Sequence, residues 1–284
     1  MRYTSHLTKG AFILALSMCS LAACNRDKKD STSTLTNADD NGGYASDNAK
    51  MQRNGDDVIS IADAAASTSN GANLRTTATT GTTIGSCATV TNDTTASPHV
   101  LTIDFGTADC ICADDRKRRG KIIVTYSGHY KDSGSVHTIT YNDYYIQDEQ
   151  LTGSKSVTNN GTNSSGQVYY TVVVNDTLHT TAGNIEWAGT RTRTWLAGYS
   201  TAIRSDDQYS ITGTTSLTRA SGNTFVMDIT SPLIIALDCD YIEKGTISIT
   251  GPGGGVRTLD YGDGTCDNIA TLTIGSHTYT ITLH

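Results

Sequence analysis

Proline and phenylalanine are scarce, three of each in 284 residues, and tryptophan occurs only twice. Positive charge is also short, with 21 Lys and Arg against 28 Asp and Glu, a formal net charge of −7. Such a balance argues against nucleic acid and anionic lipid head groups as principal partners. Beyond the first 23 residues no apolar run approaches the roughly 20 residues that a membrane-spanning helix needs. The chain carries no G-x-S-x-G elbow, no H-E-x-x-H pair and no phosphate-binding loop. Its seven histidines are scattered. No Ser–His or Cys–His pairing follows from spacing, so the sequence is read as a non-enzyme with no cofactor.

What is present begins with an address. Arg2 and Lys9 precede an apolar stretch, Ala11–Leu16 continuing through Met18–Ala23, too short to span a bilayer and of signal-peptide length. It closes on Leu21-Ala22-Ala23-Cys24, which matches the lipobox of bacterial lipoproteins. Cys24 is therefore expected to carry lipid, and two or more acyl chains suffice for stable anchoring. Removal of residues 1–23 leaves 19 basic against 28 acidic side chains, or −9.

Residues 24–80 read as the lipidated cysteine followed by a polar spacer. They are rich in Ser, Thr, Asn, Asp and Gly, with Tyr44 the one aromatic, a composition that buries too little apolar surface to offset its ordering entropy. Within it, Val58, Ile59, Ile61 and the following alanines suggest a short helix over 56–66, capped by Asp56 or Asp57. Arg116-Lys117-Arg118-Arg119 reads as a solvated turn beside Asp114 and Asp115, with a phosphate-binding patch as the lesser reading.

Residues 82–284 form the body, and its pattern alternates with period two: His99–Phe105, Lys121–Tyr130, Val136–Ile146, Val168–Val174, Ile185–Leu196, Tyr209–Leu217, Thr224–Thr230, Thr246–Thr250, Ala270–Ile274 and Thr278–Leu283. About one residue in six is Thr, and there are 14 Tyr, both favoured on half-buried pleated surfaces. Polar clusters such as Asn159-Asn160-Gly161, Asn175-Asp176 and Gly275-Ser276 punctuate the runs as turns. The fold expected is all-β, an antiparallel meander of ten or more strands forming a sandwich or a curved, partly open barrel.

Five cysteines remain after Cys19 and Cys24. Pairing Thr246–Thr250 with Val256–Asp260 puts the partner of Cys239 near position 267, hence Cys239–Cys266. The segment Leu101–Cys110 parallels Arg257–Cys266, each with Asp six residues before Cys and an earlier Cys upstream, which suggests Cys87–Cys110. Cys87–Cys112 is the alternative, and a thiol–metal site at Cys110-x-Cys112 lacks completing ligands.

Ile103–Cys110 (I-D-F-G-x(3)-C), Arg118–Tyr130, Val157–Gly161, Arg191–Trp195 and Leu259–Asn268, in that order, resemble a group of uncharacterised Bacteroidota lipoproteins over about residues 85–284. The resemblance implies an outer-membrane setting and no activity. Asp260–Thr265 also resembles the signature of polycystic-kidney-disease-type β-sandwich domains. Asp30-Ser31-Thr32, Asp93-Thr94-Thr95 and Asp176-Thr177-Leu178 resemble Bacteroides-type O-glycosylation sites.

Two groups are candidate binding residues. Alternation from Ile185 to Trp195 puts Trp187, Arg191, Arg193 and Trp195 on one face, a platform for stacking on sugars, or else a core anchor with Arg over Trp. Asp260, Asp263 and Asp267, with Asp104 or Asp109, offer oxygens for calcium, against a plain Gly-rich turn. The functional expectation is a membrane-anchored lipoprotein with a structural or interaction role, whose partner is another envelope protein or a glycan. A carbohydrate-binding surface lipoprotein is the alternative, and a hydrolase with an unrecognised site the next.

Overall fold

The computed structural model describes residues 33–34, 43–69, 87–201, 203 and 205–283. Cys24 and Asp30-Ser31-Thr32 lie outside them. The order along the chain is β1 (Ser33–Thr34), α1 (Gly43–Ser69), β2 (Thr89–Asp93), β3 (His99–Asp104), β4 (Cys110–Ile111), β5 (Lys117–Tyr126), β6 (Val136–Ile146), β7 (Glu149–Thr162), β8 (Val168–Thr180), β9 (Gly183–Ala197), β10 (Gln208–Thr218), β11 (Thr224–Ala236), β12 (Lys244–Thr250), β13 (Val256–Asp263), β14 (Ile269–Ile274) and β15 (His277–Thr282).

All the strands belong to one sheet. From β5 to β15 every strand pairs antiparallel with its sequence neighbour, because the connections are too short for parallel crossovers. β3 and β2 extend the β5 edge, β4 pairs with β5 off this path, and β1 lies parallel on β15. The two edges do not pair with each other, so the sheet is open. Gly213 lies at a register shift in β10 with φ +119°, where a Cβ would sit 2.4 Å from the Thr190 carbonyl oxygen. Only glycine permits that backbone approach and the bend it makes.

The sheet wraps the helix. None of residues 43–66 is exposed, and Tyr44, Met51, Val58, Ile61 and Ala65 are fully buried. Tyr44 stacks on Phe225 of β11 at 4.6 Å. Gly55 lets the helix pack tightly on β9, where a Cβ would lie 3.1 Å from Trp187.

The N-terminal segment thus differs from the expected spacer. The helix is 27 residues long rather than 11, and Asp56 and Asp57 sit in its middle rather than capping it. Its polar residues made it read as solvent-facing, but several meet counterparts on the sheet or beside its strands. Asp47 accepts from Arg219 at 2.6 Å, Lys50 meets Glu149 at 3.0 Å, Arg116 donates to Asn54 at 2.5 Å and Arg118 to Asp57 at 2.8 Å.

The basic run is corrected likewise. Arg118 is fully buried on β5, and Arg116 is largely enclosed beside it. Asn175-Asp176, expected as a turn, lies within β8, where Asp176 is buried as the ion-pair partner of Lys155.

Both expected disulfides are present. Cys87–Cys110 has Cα atoms 5.6 Å apart, Cys239–Cys266 5.8 Å, and Cys112 is a buried free thiol. Thr250 pairs with Val256 and Thr246 with Asp260, the register from which Cys239–Cys266 was derived.

Candidate functional site

On α1, Ala49, Gln52, Arg53, Asp56, Asp57 and Ser60 recur at intervals of three or four, the spacing of one helix face. That face forms one wall of a half-open pocket of about 130 Å³. The facing wall is largely apolar, with Asp240 its one charged residue. Ile235 and Ala236 at the end of β11 and Leu237, Tyr241 and Ile242 in the following loop supply it, with Leu283 after β15. Asp114 and Arg116, ahead of β5, close the third side. The pocket therefore draws on chain next to both ends of the sheet.

Most of its charges are paired. Arg118, behind the wall, donates to both oxygens of Asp114, at 2.7 and 2.6 Å, and to Asp57 at 2.8 Å. Arg116 lies 3.4 Å from Asp57. Arg53 reaches Asp240 at 3.8 Å and sits over the Tyr241 ring, 5.7 Å from its centroid. Asp56 accepts from Gln52 at 2.8 Å. Burial acts to raise the pKa of Asp114, but hydrogen bonds and charge from Arg118 outweigh it and hold the carboxyl below its ordinary value. For Arg116, burial outweighs the pull of Asp57 and lowers its pKa.

A carboxylate held ionised by a bidentate guanidinium is a poor general acid, which requires a raised pKa. The arrangement suits recognition instead, presenting an apolar surface opposite fixed charges. Sequence reasoning missed this site because it rests on residues 49–60. The i, i+3, i+4 spacing was present there, but on polar side chains.

The Trp/Arg strand is corrected. Trp187 and Trp195 are 1% and 2% exposed, and Arg191 and Arg193 are buried with them. β9 turns this face toward the helix, so no flat ring is available to a sugar. The packing follows the core-anchor reading: Arg191 lies over Trp187 at 5.2 Å and Arg193 over Tyr209 at 3.6 Å.

Asp260, Asp263 and Asp267 line one open surface pocket but do not converge as metal ligands. Asp260 accepts from Gly262, Asp263 from Thr265 and Asp267 from Ile269, each carboxylate closing its own turn. Asp104 pairs with Lys121 at 2.8 Å and Asp109 with Arg119 at 2.6 Å. Among the described residues no group of three or more His, Cys, Asp or Glu is placed to hold a metal ion. Of the glycosylation-like triplets, Asp93-Thr94-Thr95 opens an exposed turn, whereas Asp176-Thr177-Leu178 lies in β8 with Asp176 and Leu178 buried.

No protein-family model matches the chain, and no curated protein and no solved structure matches it.

Proposed function

We propose that this chain is a lipid-anchored protein of the bacterial cell envelope, held at the outer membrane through Cys24, that acts by binding at the pocket beside α1 rather than by catalysis. The observation that carries the reading is the pocket itself, a largely apolar wall opposite a wall of mostly ion-paired side chains. The lipobox and the resemblance to Bacteroidota lipoproteins support the setting. Two disulfides suit an oxidising compartment. Because β1 already belongs to the sheet, only residues 25–32 separate the lipid from the body. At about 3.3–3.6 Å per residue their reach is at most on the order of 30 Å, so the body stays close to the membrane. The pocket's size fits a small amphipathic molecule or one apolar side chain of an envelope partner.

Two measurements test this. Cys24→Ala should move the protein from the membrane pellet to the soluble fraction, and retention in the pellet would refute the anchor. Indole, toluene and butylamine serve as pocket probes. At least one should raise the melting temperature of the wild type and fail to do so in Ala49→Phe, which fills the pocket. If no probe acts, or if the variant responds like the wild type, the pocket is not the binding site.

A further inference from the structure

Lys155 of β7 and Asp176 of β8 are in direct contact, with side chains 0% and 1% exposed. Lys155 pairs across the strands with Val174 and Asp176 with Gly153, so the two are diagonal neighbours on the inner face. The Tyr141 hydroxyl bridges them, accepting from the amine at 3.2 Å and donating to Asp176 Oδ1 at 3.4 Å. The Trp187 ring lies over the amine, 5.9 Å from its centroid. An interior this dry disfavours two ions and favours the uncharged amine and carboxylic acid. Burial lowers the Lys155 amine to about 7, against the pull of the Asp56 charge and with a further push from Arg191.

A neutral lysine amine is a nucleophile. Here it is held against a carboxyl carbon at the effective concentration of an intramolecular reaction. A proton carrier is at hand on the helix. At Gly55 a Cβ would lie 3.6 Å from Lys155 Nζ, and Asp56 lines the same water-sized gap as Lys155. Gln52 holds one Asp56 oxygen at 2.8 Å, which leaves the other to carry a proton. We propose that Lys155 and Asp176 join in an isopeptide bond that staples β7 to β8, with Asp56 as the proton carrier. The Nζ lone pair attacks Asp176 Cγ and forms the C–N bond as the C–OH bond breaks. Asp56 takes one proton from the nitrogen and returns it to the departing hydroxyl, which leaves as water. Nothing is oxidised or reduced. Because Asp56 arrives on α1, the bond closes only after the helix is seated, and it replaces two buried titratable groups with one neutral amide.

Trypsin digestion of the denatured, reduced wild-type protein tests this by mass. Lys155 is the one Lys or Arg between Lys131 and Arg191, and an acylated lysine is not cleaved. The expected product is a single peptide, residues 132–191, lighter than its sequence by one water. Its fragment spectrum should place a bridge between Lys155 and Asp176. Separate peptides 132–155 and 156–191 at their sequence masses overturn the proposal, whether or not any variant folds. Asp176→Ala should restore cleavage at Lys155, and a peptide that stays whole would overturn the assignment to that carboxylate. Asp56→Asn should leave most molecules unlinked, and undiminished linkage there would overturn the role of Asp56.

Discussion

The two halves of the sheet meet the same helix in different chemistry. β12–β14 present Ile247, Ile249, Leu259, Ala270 and Leu272, an apolar lining. β5–β9 set Arg118, Lys155, Asp176, Arg191 and Arg193 among apolar neighbours such as Val124, Leu151 and Val174. An apolar contact is non-directional and tolerates small shifts of the helix. A buried guanidinium that bridges Asp57 and Asp114 tolerates few, because each displaced hydrogen bond leaves a charge unsolvated. The apolar half holds the helix in the interior, and the charged half sets where along the sheet it sits.

The largest expected effect comes from removing the helix. A chain beginning at residue 70 should show neither a cooperative melt nor near-ultraviolet circular dichroism, because both halves lose the surface they were built to cover. A truncated body that melts cooperatively would return residues 43–69 to the role of spacer.

A smaller effect separates the halves. Arg118→Met should cost about 3–5 kcal/mol in chemical denaturation, since it leaves Asp57 and Asp114 facing each other without their shared cation. Adding Asp57→Leu should restore part of that loss. Ile249→Ala on the apolar half should cost about 2–5 kcal/mol through its cavity, with no polar change able to restore it. If Asp57→Leu deepens the Arg118→Met defect, the charged half is not acting through that pair.

The smallest effect is a pH dependence at His137 on β6, a buried ring stacked on Tyr126 at 5.5 Å. Burial lowers its pKa below 6.5, partly opposed by hydrogen bonds at Gly128 and His129 and by the charge of Asp63. The unfolded chain therefore binds a proton that the folded one resists, and stability falls as the pH drops from about 6.5 toward the lower folded value. His137→Phe should flatten that slope by under about 1.4 kcal/mol per pH unit. An unchanged slope would assign the acid sensitivity to the carboxylates.

The alternation of the body was legible because an open antiparallel sheet with one buried face writes its burial directly into every second residue. β6 follows the expected run from Val136 to Ile146 without a residue's difference. β7 was not legible. Its inward positions include Lys155 and Asn159 beside Leu151 and Val157, so hydrophobicity alone misses it. The helix was hidden for the same reason. Asn48, Gln52, Asn54 and Asp63 are buried and look like loop composition until the sheet residues that receive them are known. The pocket, built on that helix, was lost with it. The Trp/Arg face was read to the correct side of its strand, but only the position of the helix shows that this side is the interior.

The ion pair between Asp47 and Arg219 joins residues 172 positions apart. Loop-closure entropy makes such contacts late to form. The helix emerges early in synthesis, and Arg219, which receives Asp47, is made 172 residues later. Until then Asp47 stays in water without penalty, so this contact can close the helix against the sheet only after β5–β10 exist.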